Sequence, residues 1–430
     1  MKVVVIGGGG REAALAWKLI QTLGHANVYR VRDVPRPAST TADPRSTSAL
    51  VEFADWCRNE GIGHIIPGPE AVLAEGFGEA LAAVGGPPVI GPTRAAARLE
   101  SSKTWAKEFM LRHGVATASA VLAESIAAAR RQLDRFPGPV VVKYDGLAAG
   151  KGVHVCTGAA DAQAALDQIE ARFGSAAPVV LEECLTGDEI SLIGFTDGET
   201  CRLFPPAQDH KQLEDGDRGP NTGGMGAFAP VPWCQPALLE EIEQRIVAPT
   251  LRGLRADGLP YAGPLFFGLM ITAQGPRLLE YNVRFGDPEA QVLLPLLADD
   301  LFGLYLAAHK RRLGSAPPLR WHPVTTVGVV LAAPRYPEGT SHGLRITGLD
   351  DLPADLLVFP GGMRQSDAGW ETDGGRILTI VGQGPTLEAA RQRAYAGVEA
   401  VSFIGRRFRR DIGRRPRRAL PTTHWQEKVA

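Results

Sequence analysis

Glu280 and Asn282 stand two residues apart in the run LLEYNVRFGDPEAQ. On a β-strand alternate side chains share one face, so these two oxygen donors point the same way. A carboxylate and an amide oxygen, completed by phosphate oxygens and water, suit Mg²⁺. Arg284 lies two further along that face. Its planar fork fits a substrate carboxylate or a phosphoryl group in transfer. A surface ion pair with Asp287 or Glu289 is its plain structural alternative.

Lys143 closes the apolar run PVVVK and leads into the glycine loop YDGLAAGKGV, residues 144–153. A Walker A loop requires GxxxxGK[ST]. Here Gly146 and Gly150 are one residue too close, and Gly152 follows Lys151 where a hydroxyl must hold the metal. A dinucleotide fingerprint opens a helix, and no helical pattern follows this loop. A glycine flap between two strands fits better, with backbone N–H groups offered to nucleotide phosphates and the Lys143 ammonium beside them. The plain alternative is a surface hairpin with incidental lysines. Downstream, LEECL (181–185) reads as a strand end with Glu182 and exposed backbone suited to an adenine edge and a ribose. A flap, a hinge strand and a metal strand in that order make a phosphoryl-transfer site.

Other residues sit where ligands bind. Glu70 follows Gly-Pro at the carboxyl end of a strand, the ligand edge of open α/β sheets, and is suited to ribose hydroxyls or an amine. Gly7 to Gly10, Gly8, Gly9 and Gly10 among them, precede a helix whose N-terminus can receive a sugar phosphate; a tight βα turn is the alternative. Asp209, His210 and Lys211 open the Gly/Asn-rich run 205–232, which looks too polar and irregular for core. They are candidates for substrate and phosphate contact, His210 as a general base, with Asn221, Thr222 and Gly223 shaping the loop. Asp287 joins the substrate-binding group.

The elements that must position these groups alternate along the chain. KVVVI (2–6) reads as a buried parallel strand, followed by a helix from near Arg11. HIIPGPE (64–70) and VIGPT (89–93) read as further strands of an open α/β sheet. SSKTWAKEFMLRHG (101–114) is helical, 139–156 a two-stranded flap, 159–172 a helix and 178–185 a buried strand. Residues 263–285 form a hairpin turning at AQGP, and a helix runs through about 288–310. SAPPLRWHP (315–323) looks like a linker. Strands 324–333 and 375–384 and the helix TLEAARQRAYAGVEAV make a small C-terminal α+β unit.

The chain has 430 residues, 44% of them hydrophobic and 22% charged, with formal net charge −1. That is a globular composition for two to four domains, with no global field to attract nucleic acid or membrane. Five scattered cysteines form no CxxC pair, so neither a disulfide framework nor a zinc site is indicated, and a reducing cytoplasmic setting is expected. MKVVVIGGGGREAALAW does not read as a signal peptide, and no stretch of eighteen apolar residues offers a membrane span. With no evident exposed apolar stripe, a monomer is expected. The arginine-rich end RRFRRDIGRRPRR is either a solvated tail or an anion-contacting edge.

These motifs together resemble the ATP-grasp ligases, and within them the phosphoribosylamine–glycine ligase (glycinamide ribonucleotide synthetase) family. The resemblance spans nearly the whole chain. It rests on GGGGREAALAWK, SKTWAKEFMLRHGV, VKYDGLAAGKGV, LEECLTGDEIS, QDHKQLEDGDRGPNTGGMGAF, EYNVRFGDPEAQ and FIGRRFRRDIG. It implies an α/β and α+β fold: an N-terminal open parallel α/β domain over 1–100, a two-subdomain ATP-grasp module over 101–314 with a flap-bearing part at about 115–185, and a C-terminal α+β domain over 315–425. It implies ATP and Mg²⁺, with Mn²⁺ an option, and small-molecule amine and carboxylate substrates. Lys103 and Lys143 would contact phosphates, and Gly146, Gly150, Lys151 and Gly152 would belong to the flap. Glu182 and the Leu185 backbone would hold adenine, Glu189 the ribose, and Glu280 and Asn282 the metal.

Three positions depart from the family, two of them in the N-terminal domain, where the phosphoribosylamine would sit. Ala13 stands where the family has histidine, RDVPRPASTTADPR replaces a PGNAG-like loop, and Gln212 replaces the arginine of DHKR. Three readings follow: the purine-pathway ligase of glycine and phosphoribosylamine, a paralogous ligase for another sugar- or nucleoside-like amine, and a nucleotide-binding protein without ligase activity. The third rests on GGGGRE and on Asp33, which lies about twenty residues beyond it, the spacing of a ribose-binding acid.

Overall fold

The structure is a computed structural model, and it describes residues 1–32, 34, 44–147, 152–367 and 369–414. Asp33, Gly150 and Lys151 lie outside these residues, as does the arginine-rich end beyond 414.

Lys2–Ile6 is the centre of a three-stranded parallel sheet, flanked by Val28–Val31 and Ile62–Pro67. Its β-branched residues are buried on both faces, as a parallel strand requires. Val28–Val31 carries no alternation or turn signal and was not foreseen. VIGPT is not a strand: Val89 makes a single parallel bridge to Ile65. The chain leaves the central strand through Gly7 at φ 115°, where a methyl group would lie 2.7 Å from the Glu12 side chain. Helix Gly10–Leu23 then starts on a carboxylate cap, Gly9 N donating to Glu12 Oε2 at 2.7 Å.

The flap-bearing part is an antiparallel sheet in the order Ala120–Ala123, Val179–Glu183, Val140–Tyr144, Val153–Cys156. Helix Ala159–Phe173 covers it, and its core is drawn only from residues 123 to 181. The hairpin Gly263–Thr272/Gly275–Asn282, which carries Glu280 and Asn282, pairs with Asp188–Thr196 in a second antiparallel sheet.

Two expectations are corrected. The span 288–310 is not one helix. It breaks into Glu289–Leu293, a 3-10 turn at Leu294–Leu296 and Leu301–His309, because Pro295 has no N–H to continue the ladder and Asp300 caps a new start. Nor is 205–232 wholly irregular. Gln208–Asp209 and Gly226–Ala229 are strands of a five-stranded sheet completed by Thr325–Ala332, Arg376–Gly384 and Leu357–Pro360. Met225, Ala227 and Phe228 are core residues. The C-terminal sheet thus takes strands from both sides of the 315–323 linker. Residues 341–374 add three further strands, Ser341–Arg345, Met363–Ser366 and Gly369–Gly374. Among the described residues no helix is long and apolar enough to cross a membrane.

Candidate active site

The hairpin places Glu280 opposite Gly268 and Asn282 opposite Phe266. A methyl group at Gly268 would lie 3.2 Å from Glu280 Cγ, so the glycine leaves the carboxylate room. On the neighbouring sheet strand Glu189 stands beside Met270. Lys211 reaches across and pairs with Glu189, its ammonium 3.9 Å from Glu280 Oε1. Burial works against the charged form of Lys211, but Glu189 and then Glu280 outweigh it and hold its pKa above the ordinary lysine value. The mirror effect acts on Glu280. Burial pushes its carboxyl up, yet Lys211, Lys143 and Lys103 together hold it below the usual range. The result is a charged, partly exposed carboxylate ringed by three ammonium groups.

Lys143 projects from the flap strand, donating to Leu279 O at 3.1 Å and pairing with Glu182 at 2.7 Å. Glu182 is buried and takes a second cation, Lys107, at 3.1 Å. Both of its oxygens are therefore engaged, and at the strand's end Glu183 N donates to Ser119 O at 3.0 Å. Lys107 was not singled out from sequence; its place one turn after Lys103 on helix Lys103–Arg112 was the available signal. That helix starts on Ser102, whose hydroxyl also donates to Asp145 at 3.1 Å, and so Lys103 Nζ donates to Gly146 O at 2.8 Å at the base of the flap. Gly152, at the flap's other end, is buried.

Arg284 does not pair with Asp287 or Glu289. Its guanidinium lies between Glu70 (3.1 Å) and Glu100 (2.8 Å) and donates to Asn282 Oδ1 at 3.1 Å. Glu100, missed in the sequence, also accepts from Val283 N at 2.7 Å. Burial raises its carboxyl to about 7 despite Arg284. A carboxyl whose pKa is higher in the folded state favours folding at low pH, and that contribution fades as pH rises from the ordinary value of 4.5 to about 7. In Glu100→Gln the melting temperature relative to wild type therefore climbs across this window and levels off above it. A difference that stays flat with pH contradicts the shift.

Half-buried Asp209 and buried Glu289 are close enough to disfavour each other's charge. Glu289 accepts from Ser191 Oγ at 2.7 Å, while Asp209 Oδ1 is buried with no hydrogen-bond partner among the described residues. Burial first, and then Glu289, hold the Asp209 carboxyl well above the carboxylate range. His210 is fully buried, its ring 6.1 Å from that of Phe228. Packing thus holds the imidazole away from solvent, which is not the setting foreseen for a general base. Thr222 folds back on Lys211, Oγ1 donating to Lys211 O at 2.7 Å, and Gly223 N donates to Tyr336 Oη at 2.8 Å. Asn221 is exposed on the short hairpin strand opposite Gln212. Arg409, fully buried, fastens that hairpin through Asp217 and the Gln212 carbonyl, both at 3.1 Å.

A cleft of about 400 Å³ lies beside this cluster, lined by Gly8, Gly9 and Gly10 on one side and by Asp287 and Arg376 on the other. Arg376 pairs with Asp287 at 3.0 Å. Burial would raise the Asp287 carboxyl, but Arg376 holds it below its ordinary range. Ala13, on helix Gly10–Leu23, is buried in the core.

The phosphoribosylglycinamide synthetase models match the chain along its length: the N domain over residues 1–100, the ATP-grasp (A) domain over 101–290 and the C domain over 326–415. The chain belongs to the phosphoribosylglycinamide synthetase family. It is an ATP-grasp ligase. A phosphoribosylamine–glycine ligase from Nostoc sp. is 43% identical over 426 residues, covering 96% of this chain and 99% of the relative. One from Caulobacter vibrioides is 42% identical over 426 residues, with coverage of 96% and 98%. Among solved structures, a phosphoribosylamine–glycine ligase from Thermotoga maritima superposes with TM-score 0.79 at 32% identity, covering 96% of this chain and all of that one. The biotin carboxylase domain of the Hydrogenobacter thermophilus 2-oxoglutarate carboxylase, solved with MgADP, ADP and bicarbonate, shares the ATP-grasp fold at TM-score 0.67 and 18% identity, with coverage of 94% and 91%. The family membership and this fold replace the reading of the glycine run as a bare nucleotide-binding fingerprint.

Proposed function

We propose that this chain joins glycine to phosphoribosylamine at the expense of ATP, releasing ADP and phosphate, as the names of its relatives state for those proteins. The observation that carries the chemistry is the cluster of Glu280, Asn282 and Lys211 facing Lys143 and Lys103 from the flap side. A glycine carboxylate oxygen attacks the γ-phosphorus and ADP leaves, giving an acyl phosphate. The amine then attacks the acyl carbon, phosphate departs and a proton is lost. Such steps need charge neutralisation and alignment more than a protein nucleophile.

Glu280 and Asn282 would hold the cation. Glu280 is held in its charged form by Lys211, Lys143 and Lys103, its side chain is 39% exposed, and Asn282 Oδ1 accepts from Arg284. Two protein oxygens completed by phosphates match Mg²⁺, with Mn²⁺ the other candidate. When bound, the cation would neutralise charge on the transferring phosphoryl group. Lys103, Lys143 and the flap glycines Gly146 and Gly152 would flank the phosphates, Glu189 the ribose and the backbone at Leu185 the adenine. Arg284 would orient the glycine carboxylate, with Glu70 near the amine. Asp209, beside Lys211 in sequence, would lie at the substrate, whereas His210 is packed away against Phe228. Asn221, Thr222 and Gly223 shape the loop over Lys211. The N-terminal domain would end near residue 100 and the ATP-grasp module near residue 314.

All five cysteines are free, which supports a reducing cytoplasmic setting. ADP release from the purified protein should require both glycine and phosphoribosylamine. ADP formed at an equal rate with either one omitted would end this reading.

A further inference from the structure

The cleft beside the helix start has two ends that differ in kind. Arg32 and Arg376 enter it from opposite termini of the chain, each with a carboxylate: Arg32 with Asp373 at 3.1 Å and Arg376 with Asp287 at 3.0 Å. The glycine run spans them. A methyl group on Gly9 would lie 3.5 Å from Asp287 Oδ2, and one on Gly8 would lie 2.9 Å from Arg32 Cγ. The two pairs are held unequally. Arg376 is fastened by the Gly223 and Asp287 carbonyls as well as by the Asp287 carboxylate, and its side chain is 25% exposed. Arg32 is 55% exposed, and besides Asp373 its partner among the described residues is the Met363 carbonyl at 3.2 Å. Asp373 keeps a second partner, His342 Nδ1 at 2.9 Å. Arg32 can therefore exchange its carboxylate for another anion without stranding Asp373.

The Asp287 end adjoins Arg284, where the proposed ligase reading activates glycine, and the nucleophilic nitrogen must arrive there. Any anionic group on the amine substrate is then directed to the opposite end. We propose that Arg32 is a specificity-determining residue that receives the phosphate of the amine substrate in exchange for Asp373, so that the substrate lies along Gly8–Gly9 with its nitrogen toward Asp287. This rests on the ligase reading for the identity of the amine, while the phosphate contact itself does not.

The test uses the full chain with ribose 5-phosphate as a calorimetric probe, alongside steady-state kinetics. Losing one charge-assisted contact weakens binding by about tenfold or more. In Arg32→Ala, ribose 5-phosphate affinity should fall by that factor and KM for phosphoribosylamine should rise with it. KM for ATP and for glycine should hold. Arg32→Lys should recover part of the loss, and Asp373→Asn, which frees the guanidinium, should tighten ribose 5-phosphate. Unphosphorylated ribose should not distinguish the proteins. Wild-type affinity for ribose 5-phosphate in Arg32→Ala, no binding by wild type, or weaker binding in Asp373→Asn would each overturn the proposal. Arg32-dependent binding of ribose 5-phosphate in a wild-type protein that does not use phosphoribosylamine would instead remove the ligase reading and leave the phosphate contact standing.

Discussion

Replacing Glu280 with alanine lowers the ATP-dependent rate by about 100-fold or more, the scale of losing one electrostatic element of a preorganised site. Glu280 would be the one charged ligand of the cation, and it also balances Lys211, Lys143 and Lys103. Without it the three ammonium groups lose the carboxylate that balances them, and the cation that would neutralise phosphate charge would lose its charged ligand. Glu280→Asp, which keeps the charge at shorter reach, should recover part of the rate, more so at high Mg²⁺. The melting temperature should fall modestly in Glu280→Ala and recover in Glu280→Asp, because the three ammonium groups lose and then regain a balancing carboxylate. Steady-state kinetics at varied Mg²⁺ and a thermal melt check both halves. Near-wild-type turnover at limiting Mg²⁺ removes Glu280 from the metal site.

Arg284→Ala is expected to be costly in two separable ways. Arg284 lies between Glu70 and Glu100, with 18% of its side chain exposed. Removing it strands two carboxylates, a loss of about 3–5 kcal/mol for a broken buried pair. The sign with pH follows from Glu100, already raised to about 7 by burial. Once the arginine is gone its pKa rises further, so the carboxyl is neutral in acid and the penalty grows as pH increases. Denaturant unfolding at pH 5.5 and 8 should show the larger loss at pH 8. Activity should also drop by about 100-fold. Arg284→Lys should restore stability better than rate, because an ammonium supplies charge without the planar fork. A penalty that is equal at the two pH values would contradict the assignment of Glu100 as its partner.

What was legible in the sequence were the local parts. The flap strands and the 263–285 hairpin are β-branched or apolar runs punctuated by glycine, and the structure has them as Val140–Tyr144, Val153–Cys156 and the Gly263–Thr272/Gly275–Asn282 pair. Glu280 and Asn282 followed from strand periodicity alone. What was not legible depended on distance along the chain. Glu100 accepts from Val283 across 183 positions, and Arg32 meets Asp373 across 341. Neither pair belongs to a motif that composition or period reveals. The run 205–232 looked structureless because its strands are two to four residues long and find their sheet partner only at Thr325–Ala332. His210 looked reactive beside Asp209 and Lys211, yet its place on a short strand's edge buries it against Phe228. A single proline, Pro295, divided a helix whose apolar pattern otherwise ran on.

The central claim is that the acid is activated by phosphoryl transfer before nitrogen attacks. Glycine labelled with ¹⁸O in both carboxylate oxygens tests it directly, by mass analysis of the phosphate released in turnover with ATP and phosphoribosylamine. One ¹⁸O atom per phosphate is predicted, since the attacking carboxylate oxygen leaves with phosphorus. Phosphate free of label, formed at the rate of product, would contradict the account.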